Sequence, residues 1–166
     1  NGRRRSCAGS SFLGRPVPEG SIGVLSRNGD IVAVPPGRYV LGLRTEWRGT
    51  HSLTFTEPIQ EGNLTIVRVP QGQLGLATLA GDPLILAAGL HVYNNILFSF
   101  GKLVSVNSAH VQHSTLHVLR VRQGEYAKVW ALGPSEAVEP RLLTEGCYVV
   151  DSSFFSLEDR CLVSDT

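Results

Sequence analysis

The sequence predicts an all-β protein made of three tandem antiparallel units of about 52 residues, arranged as a linear array. Three observations lead to this fold class. Apolar and β-branched runs of four to six residues are separated by Gly, Pro, Asn and Asp, as is typical of strands joined by tight turns. Helical periodicity is hard to find. A Val-Pro-x-Gly phrase recurs at a constant step of 52 residues, with Arg in place of Pro in its third copy, at residues 17–20, 69–72 and 121–124.

Each unit is predicted to open with a β-hairpin. In the first unit, the apolar runs 22–25 and 31–34 flank the turn sequence Arg27-Asn28-Gly29-Asp30. Asn-Gly accepts the positive φ angles that two-residue hairpin turns require, so this pair favours a tight turn. The corresponding turns are predicted at residues 80–83 in the second unit and 132–134 in the third.

Two further strands complete each predicted unit. A third run follows a glycine, at residues 38–41, 90–93 and 147–150, and a fourth run leads into the next unit, at 63–69 and 114–121. A unit of this size buries too little apolar surface to be stable alone, so neighbouring units are expected to share cores.

The predicted organisation is an N-terminal arm, residues 1–11, followed by β repeats at 12–63, 64–115 and 116–166. Three four-stranded units also suit a closed β-trefoil, which would make the protein a carbohydrate- or ligand-binding module. The Gln-x-Trp pattern of trefoil lectins is missing, so the trefoil is the alternative.

Composition indicates a protein that covers part of its surface with partners. Charged residues make up 17% of the chain, against roughly 25% in typical soluble domains. The net charge of +1 excludes a broad basic surface for nucleic acid. No apolar stretch approaches the roughly 18 to 20 residues that span a bilayer, so no transmembrane segment is predicted, and peripheral membrane association through partners stays open.

Chemically distinctive motifs are few, and we predict no enzyme, no cofactor and no metal site. His110, His113 and His117 have a spacing that would suit zinc on a helix. In a strand, positions 113 and 117 would lie about 13 Å apart, so we expect solvated loop and strand histidines instead. Pairing of Cys147 with Cys161 stays open.

The repeated phrase, with its Gly turn and the apolar run after it, resembles the β repeats of the major vault protein. It also resembles the opening β segment of stomatin-like (band 7) domains. The resemblance implies a non-catalytic β array that packs against neighbouring chains.

We therefore predict a structural or adaptor subunit whose partners are other protein subunits of a larger complex. Thirteen arginines against two lysines suggest a GC-rich genome, and the absence of an initiator methionine suggests import into an organelle. An accessory subunit of a photosynthetic or respiratory membrane complex is the expectation that follows. The candidate contact residues are Arg3, Arg4, Arg5, Trp47, Phe98, Phe100, Phe154 and Phe155.

Overall fold

The structure, a computed structural model, describes residues 14–55 and 57–162, and the regular structure in these residues is β. They form seventeen strands in antiparallel sheets of two or three strands. This confirms the predicted all-β class. No sheet in the described part closes on itself, as the trefoil alternative would require. These residues contain no helix that is long and apolar enough to cross a membrane.

The strands follow the sequence repeat. The first five strands are β1 (Arg15–Val17), β2 (Ser21–Arg27), β3 (Asp30–Val34), β4 (Gly37–Tyr39) and β5 (Thr45–Ser52). The next six are β6 (Ile59–Glu61), β7 (Leu64–Val69), β8 (Gln73–Leu79), β9 (Asp82–Leu86), β10 (Gly89–Asn94) and β11 (Phe98–Ser105). The last six are β12 (His110–His113), β13 (Leu116–Val121), β14 (Glu125–Leu132), β15 (Val138–Leu143), β16 (Gly146–Asp151) and β17 (Ser156–Leu162).

Two kinds of sheet alternate along the chain. One kind places the opening hairpin beside the fifth strand of the same copy, in the orders β3-β2-β5, β9-β8-β11 and β15-β14-β17. The other kind has the orders β1-β4, β10-β7-β6 and β12-β13-β16. The opening hairpins of the three copies therefore make the same pairings.

The predicted hairpin turns are present. Asn28 and Gly29 join β2 to β3 with φ angles of 54° and 96°, and Ala80 and Gly81 join β8 to β9 with 54° and 93°. These are the paired positive φ angles of a type I′ turn, whose twist matches that of the flanking strands. In the third copy a longer loop, residues 133–137, replaces this turn and is closed by a bond from Gly133 N to Ala137 O of 2.8 Å.

The fifth strand of each copy was missed by the sequence analysis, which counted four. Strands β5, β11 and β17 pair along the opening hairpin, and each contains a β-bulge opposite the same point of the central strand. For example, Val24 pairs with Gly49 whereas its neighbour Leu25 pairs with Trp47. The recurrence of this bulge at one repeat position is a structural feature of the copies, since bulges bend and twist a strand in a defined way.

A tyrosine ties down the third run of the first and last copies. Tyr39 Oη donates to Pro35 O at 2.7 Å, and Tyr148 Oη donates to Thr144 O at 3.0 Å. In both copies the acceptor lies four residues earlier and the tyrosine is the second residue after a glycine. The bond fixes the chain where it enters β4 and β16.

The chain divides into two compact units, one ending at Arg68 and including His91–Ile96, the other comprising Val69–Leu90 and the residues from Leu97 onward. In the first unit, Ile22 and Val24 of β2 pack with Leu64 and Ile66 of β7. Residues from two successive sequence copies thus share one core.

One buried cluster of the second unit lies in the third copy. Its buried members are Leu119, Val121, Ala127, Val129 and Phe155. Strands β13 and β14 supply the first four, and the turn before β17 supplies Phe155. The boundaries predicted at 63/64 and 115/116 stay a prediction.

In each three-stranded sheet built on an opening hairpin, the central strand carries a small residue, and a larger side chain of the neighbouring strand covers it. A Cβ on Gly23 would lie 2.7 Å from Trp47 Cη2 and from Val17 Cγ2, and a Cβ on Gly75 would lie 3.1 Å from Phe100 Cε2. The third copy has Ala127 at this position, and Leu157 occupies the place of the aromatic residue. The size of the covering side chain therefore varies inversely with the size of the residue below it.

Replacing Gly23 with Ala is expected to lower the free energy of unfolding of the first unit by about 1 to 3 kcal/mol, because the added methyl overlaps packed side chains. Gly42→Ala is the control, since a Cβ there meets no atom within 4 Å. Urea-induced unfolding measures both. Equal stabilities for the two variants would contradict the packing described here.

Replacing Ala80 with Asn is expected to raise the stability of the β8–β9 hairpin by about 1 kcal/mol, because Ala80 has a left-handed φ that Asn adopts more readily. The reciprocal change, Asn28→Ala, should destabilise the equivalent turn by a similar amount. Thermal unfolding of both variants checks the signs; the expectation fails if Ala80→Asn is neutral or destabilising.

Candidate interaction surface

Strand β16 is an edge strand with an apolar outer face. It pairs with β13 on one side, and in the described residues its other side has no sheet partner. Tyr148 and Val150 face the core of the third copy, whereas Val149 points the other way and is 68% exposed. Cys147 is exposed on this outer face as well. The strand therefore offers both backbone hydrogen-bonding groups and an apolar side chain.

Four other edge strands of the second unit, β9, β11, β15 and β17, carry features that hinder pairing with another chain. Pro83 interrupts the donor pattern of β9 and Pro140 that of β15. Strands β11 and β17 contain bulges and the charged residues Lys102 and Glu158. Proline, charge and bulges are the usual protection against edge-to-edge association. Strand β16 has neither proline nor bulge, and its one charged residue, Asp151, stands at its end.

The turn after β16 extends the apolar surface. Phe154, in this turn, is 58% exposed. Its amide donates to Ser152 Oγ at 3.2 Å, and Phe155 N donates to Ser152 O at 3.3 Å. Asp151, at the end of the strand, accepts a 2.6 Å hydrogen bond from Thr115 Oγ1. The turn is thus held by local bonds, and the ring of Phe154 is presented beside the edge strand.

The structure separates the aromatic residues that the sequence grouped as contact candidates. Phe98 and Phe155 are buried, and Trp47 and Phe100 are half-buried above Gly23 and Gly75. Phe154 faces solvent. The remaining candidates, Arg3, Arg4 and Arg5, lie outside the described residues.

Val149 was not identified from the sequence. The alternation within Gly146–Asp151, with Tyr148 and Val150 at even positions, could have indicated that the odd positions face outward. The equivalent outward positions of β10, Leu90 and Val92, are also exposed. An exposed apolar residue at this position is a property of the repeat.

Two of the three clustered histidines are in contact, and the expectation that they are solvated is wrong for His117. His110 Nε2 lies 3.1 Å from His117 Nδ1, and the ring planes differ by 9° with centroids 5.4 Å apart. His117 is 3% exposed and its ring lies 4.9 Å from that of Phe155. A tight turn at Ser114, with a φ of 55°, folds β12 back on β13, so residues seven apart become neighbours.

His113 has a separate role at the same hairpin. Its Nε2–H donates to the carbonyl of Ala77 at 2.7 Å, which attaches the end of β12 to β8. Burial lowers the pKa of His117 from its ordinary value. Burial, then His117, then Arg160 lower the pKa of His110. In the described part of the chain no three His, Cys, Asp or Glu side chains come together as metal ligands.

A salt bridge lies beside the histidine pair. Arg160 Nη2 is 3.1 Å from Glu125 Oε2 and also donates to the carbonyl of Arg120. Both side chains are largely buried, with 25% and 17% of their surfaces exposed. Glu125 Oε2 also accepts from Arg122 N at 3.2 Å, so the carboxylate joins β17 to the turn before β14.

The two cysteines considered for pairing, Cys147 and Cys161, are free and exposed. Cys147 pairs with Arg120 on β13, and Cys161 pairs with Tyr126 on β14. They therefore lie on different sheets of the third copy.

These features define a tandem β-repeat protein with an exposed edge strand. Over 97 residues the chain is 32% identical to Vacuolin-B of Dictyostelium discoideum, a match that covers 57% of this chain and 16% of that protein. The chain thus spans a small part of this relative. No protein-family model matches the sequence, and no solved structure matches it. The similarity and the β repeats agree in coarse form with the resemblance stated above.

Glu125→Gln is expected to lower the free energy of unfolding by about 1 to 3 kcal/mol, because it leaves the Arg160 charge in a largely buried position without its counter-ion. Glu158→Gln is the matched control. Its partner Lys128 is about half exposed, and such pairs contribute about 0 to 1 kcal/mol. Urea unfolding at neutral pH compares them, and equal losses would contradict this assignment.

Proposed function

We propose that this chain is a non-enzymatic structural subunit that packs through the edges and faces of its β repeats into a larger protein assembly. The observation that carries the proposal is β16, an edge strand with no proline, lysine or bulge and with Val149 largely exposed. An extended segment of another chain can add to such an edge, with backbone hydrogen bonds giving affinity and apolar side chains giving specificity.

Composition supports a covered surface. Charged residues make up 17% of the chain, so few charges are available to keep neighbouring molecules apart. Large apolar side chains of the third copy are exposed in addition to Val149, among them Leu142, Phe154 and Leu162. Exposed apolar surface of this kind marks interaction sites in soluble proteins.

Two observations together support a structural role. The chain is built from β repeats, and it is similar to Vacuolin-B over 57% of its length. A finer form of the proposal makes the chain an accessory subunit of an organellar membrane complex. The one observation that supports this finer form is the excess of arginine over lysine. The partners in either form are other protein subunits.

Val149→Lys tests the proposal. The tagged chain is expressed in the cells that contain it, and native extract is separated by size exclusion. Wild type is expected to elute far above its own 17.9 kDa. The variant should lose about tenfold or more of the high-mass population, because 1.4 kcal/mol of lost binding free energy is a factor of about ten.

The control is Tyr126→Lys, which places the same charge at an exposed position of β14, a strand with partners on both sides. It should elute like wild type. Elution of wild type at the mass of a single chain would reject the structural-subunit proposal. High-mass elution of Val149→Lys would show that the chain assembles but would reject β16 as the contact. Thermal unfolding of each variant verifies that it is folded.

A further inference from the structure

The His110–His117 pair closes the β12–β13 hairpin over the core of the third copy. The two residues occupy diagonal positions across the hairpin, since His110 pairs with Leu119 and Gln112 pairs with His117. Their ring nitrogens are 3.1 Å apart, and one N–H donates to the lone pair of the other. Because each strand contributes one ring, the contact depends on β12 lying against β13.

The charges near the histidine pair make it unfavourable for either ring to gain a proton. Arg160 of β17 is the cation that faces the pair, and it is matched by Glu125 of β14. That carboxylate is already bound to Arg160 and to Arg122 N, so it is committed before either histidine gains a charge.

The other charged groups on β13, β14, β16 and β17 have partners elsewhere. Strand β9, which contacts β12, carries one charged residue, Asp82, and it is exposed at the start of the strand. Lys128 of β14 binds Glu158 of β17 at 2.9 Å. Asp151 of β16 accepts a hydrogen bond from the Thr115 hydroxyl, and Asp159 accepts one from the backbone amide of Arg160. Arg120 of β13 donates to Asn107 Oδ1 at 3.5 Å. No carboxylate is among the causes of the lowered pKa of His110, which are burial, His117 and Arg160.

Protonation therefore acts in two steps. A first proton leaves one N–H between the rings but adds a cation close to Arg160 in a largely apolar surrounding. A second proton removes the acceptor, and two imidazolium rings then face each other. Burial lowers the pKa of both histidines, so the folded hairpin binds fewer protons than the open one. Its stability is present above the ordinary histidine pKa and is lost as pH falls through the folded values.

We infer that the hydrogen-bonded His110–His117 contact is an acid-sensitive latch, which holds β12 on the third copy when neutral and releases it when protonated. The release loosens more than one strand. His113 of the same hairpin donates to Ala77 O of β8, so freeing β12 also weakens the connection between the second and third copies. This property is independent of what binds at β16.

Hydrogen–deuterium exchange of the whole chain tests the latch. Exchange of β12 amides is measured relative to β14 amides at about pH 7.5 and about pH 5, on either side of the ordinary histidine pKa, with each rate corrected for its intrinsic pH dependence. The ratio in wild type should rise about fivefold at the lower pH, the factor for losing one hydrogen bond of about 1 kcal/mol.

In His110→Gln/His117→Gln the ratio should be the same at both pH values, because glutamine can hydrogen-bond but does not titrate in this range. His113→Gln, on the same strand, should keep the rise. A wild-type ratio that does not change with pH, or a rise that persists in the double variant, would overturn the inference.

A second measurement covers the case in which the double variant does not fold. The imidazole nitrogens of wild type are followed by NMR through the same pH range. The transition of His117 should coincide with the rise in β12 exchange. Transitions at clearly separate pH values would overturn the latch.

Discussion

Burial of both faces of the central strands is the constraint on which this structure depends. In β2, Ile22 and Val24 pack on the next copy's β7, while Gly23 on the opposite face lies beneath Trp47. Because the central strand is covered on both faces, the space between it and the covering elements is fixed. Protein interiors tolerate little side-chain volume beyond such a space. The pairing of small with large residues follows from that fixed space, and it explains why Phe100 covers a glycine whereas Leu157 covers an alanine.

The same constraint explains which elements could be predicted. Strands β2 and β3 carry apolar residues on both faces and are joined by Asn28-Gly29. Composition and turn chemistry were therefore sufficient to predict this hairpin. Strands β5 and β17 have one half-buried face and one polar face, and few of their residues are apolar. In β5 the alternation is regular, but most of its half-buried residues are not apolar, so the hydrophobic pattern is faint. In β17 the bulge also shifts the alternation by one residue. Such runs are not distinguishable from a loop until their partner strand is known.

The candidate site was harder to predict than the fold, because it depends on register. The aromatic positions were recognised, but whether Phe154 or Phe155 faces outward is fixed by the bonds of Ser152 in the turn. Likewise, the separation of His110 and His117 is large in an extended chain and small in a hairpin. The deciding residue is Ser114, whose positive φ reverses the chain. Sequence spacing alone carries no information about that reversal.

The third copy differs from the others in its buried polar residues. His117 stands where the second copy has Thr65, and Arg160 pairs with Ala127 where Leu103 pairs with Gly75. Burying ionisable groups costs free energy, and apolar residues of similar shape often give equal or greater stability. The fold itself does not need these groups, since the second copy builds the same hairpin sheet without them. The architecture therefore does not require this cluster, and the acid-sensitive latch proposed above would give it a role that an apolar core could not fill.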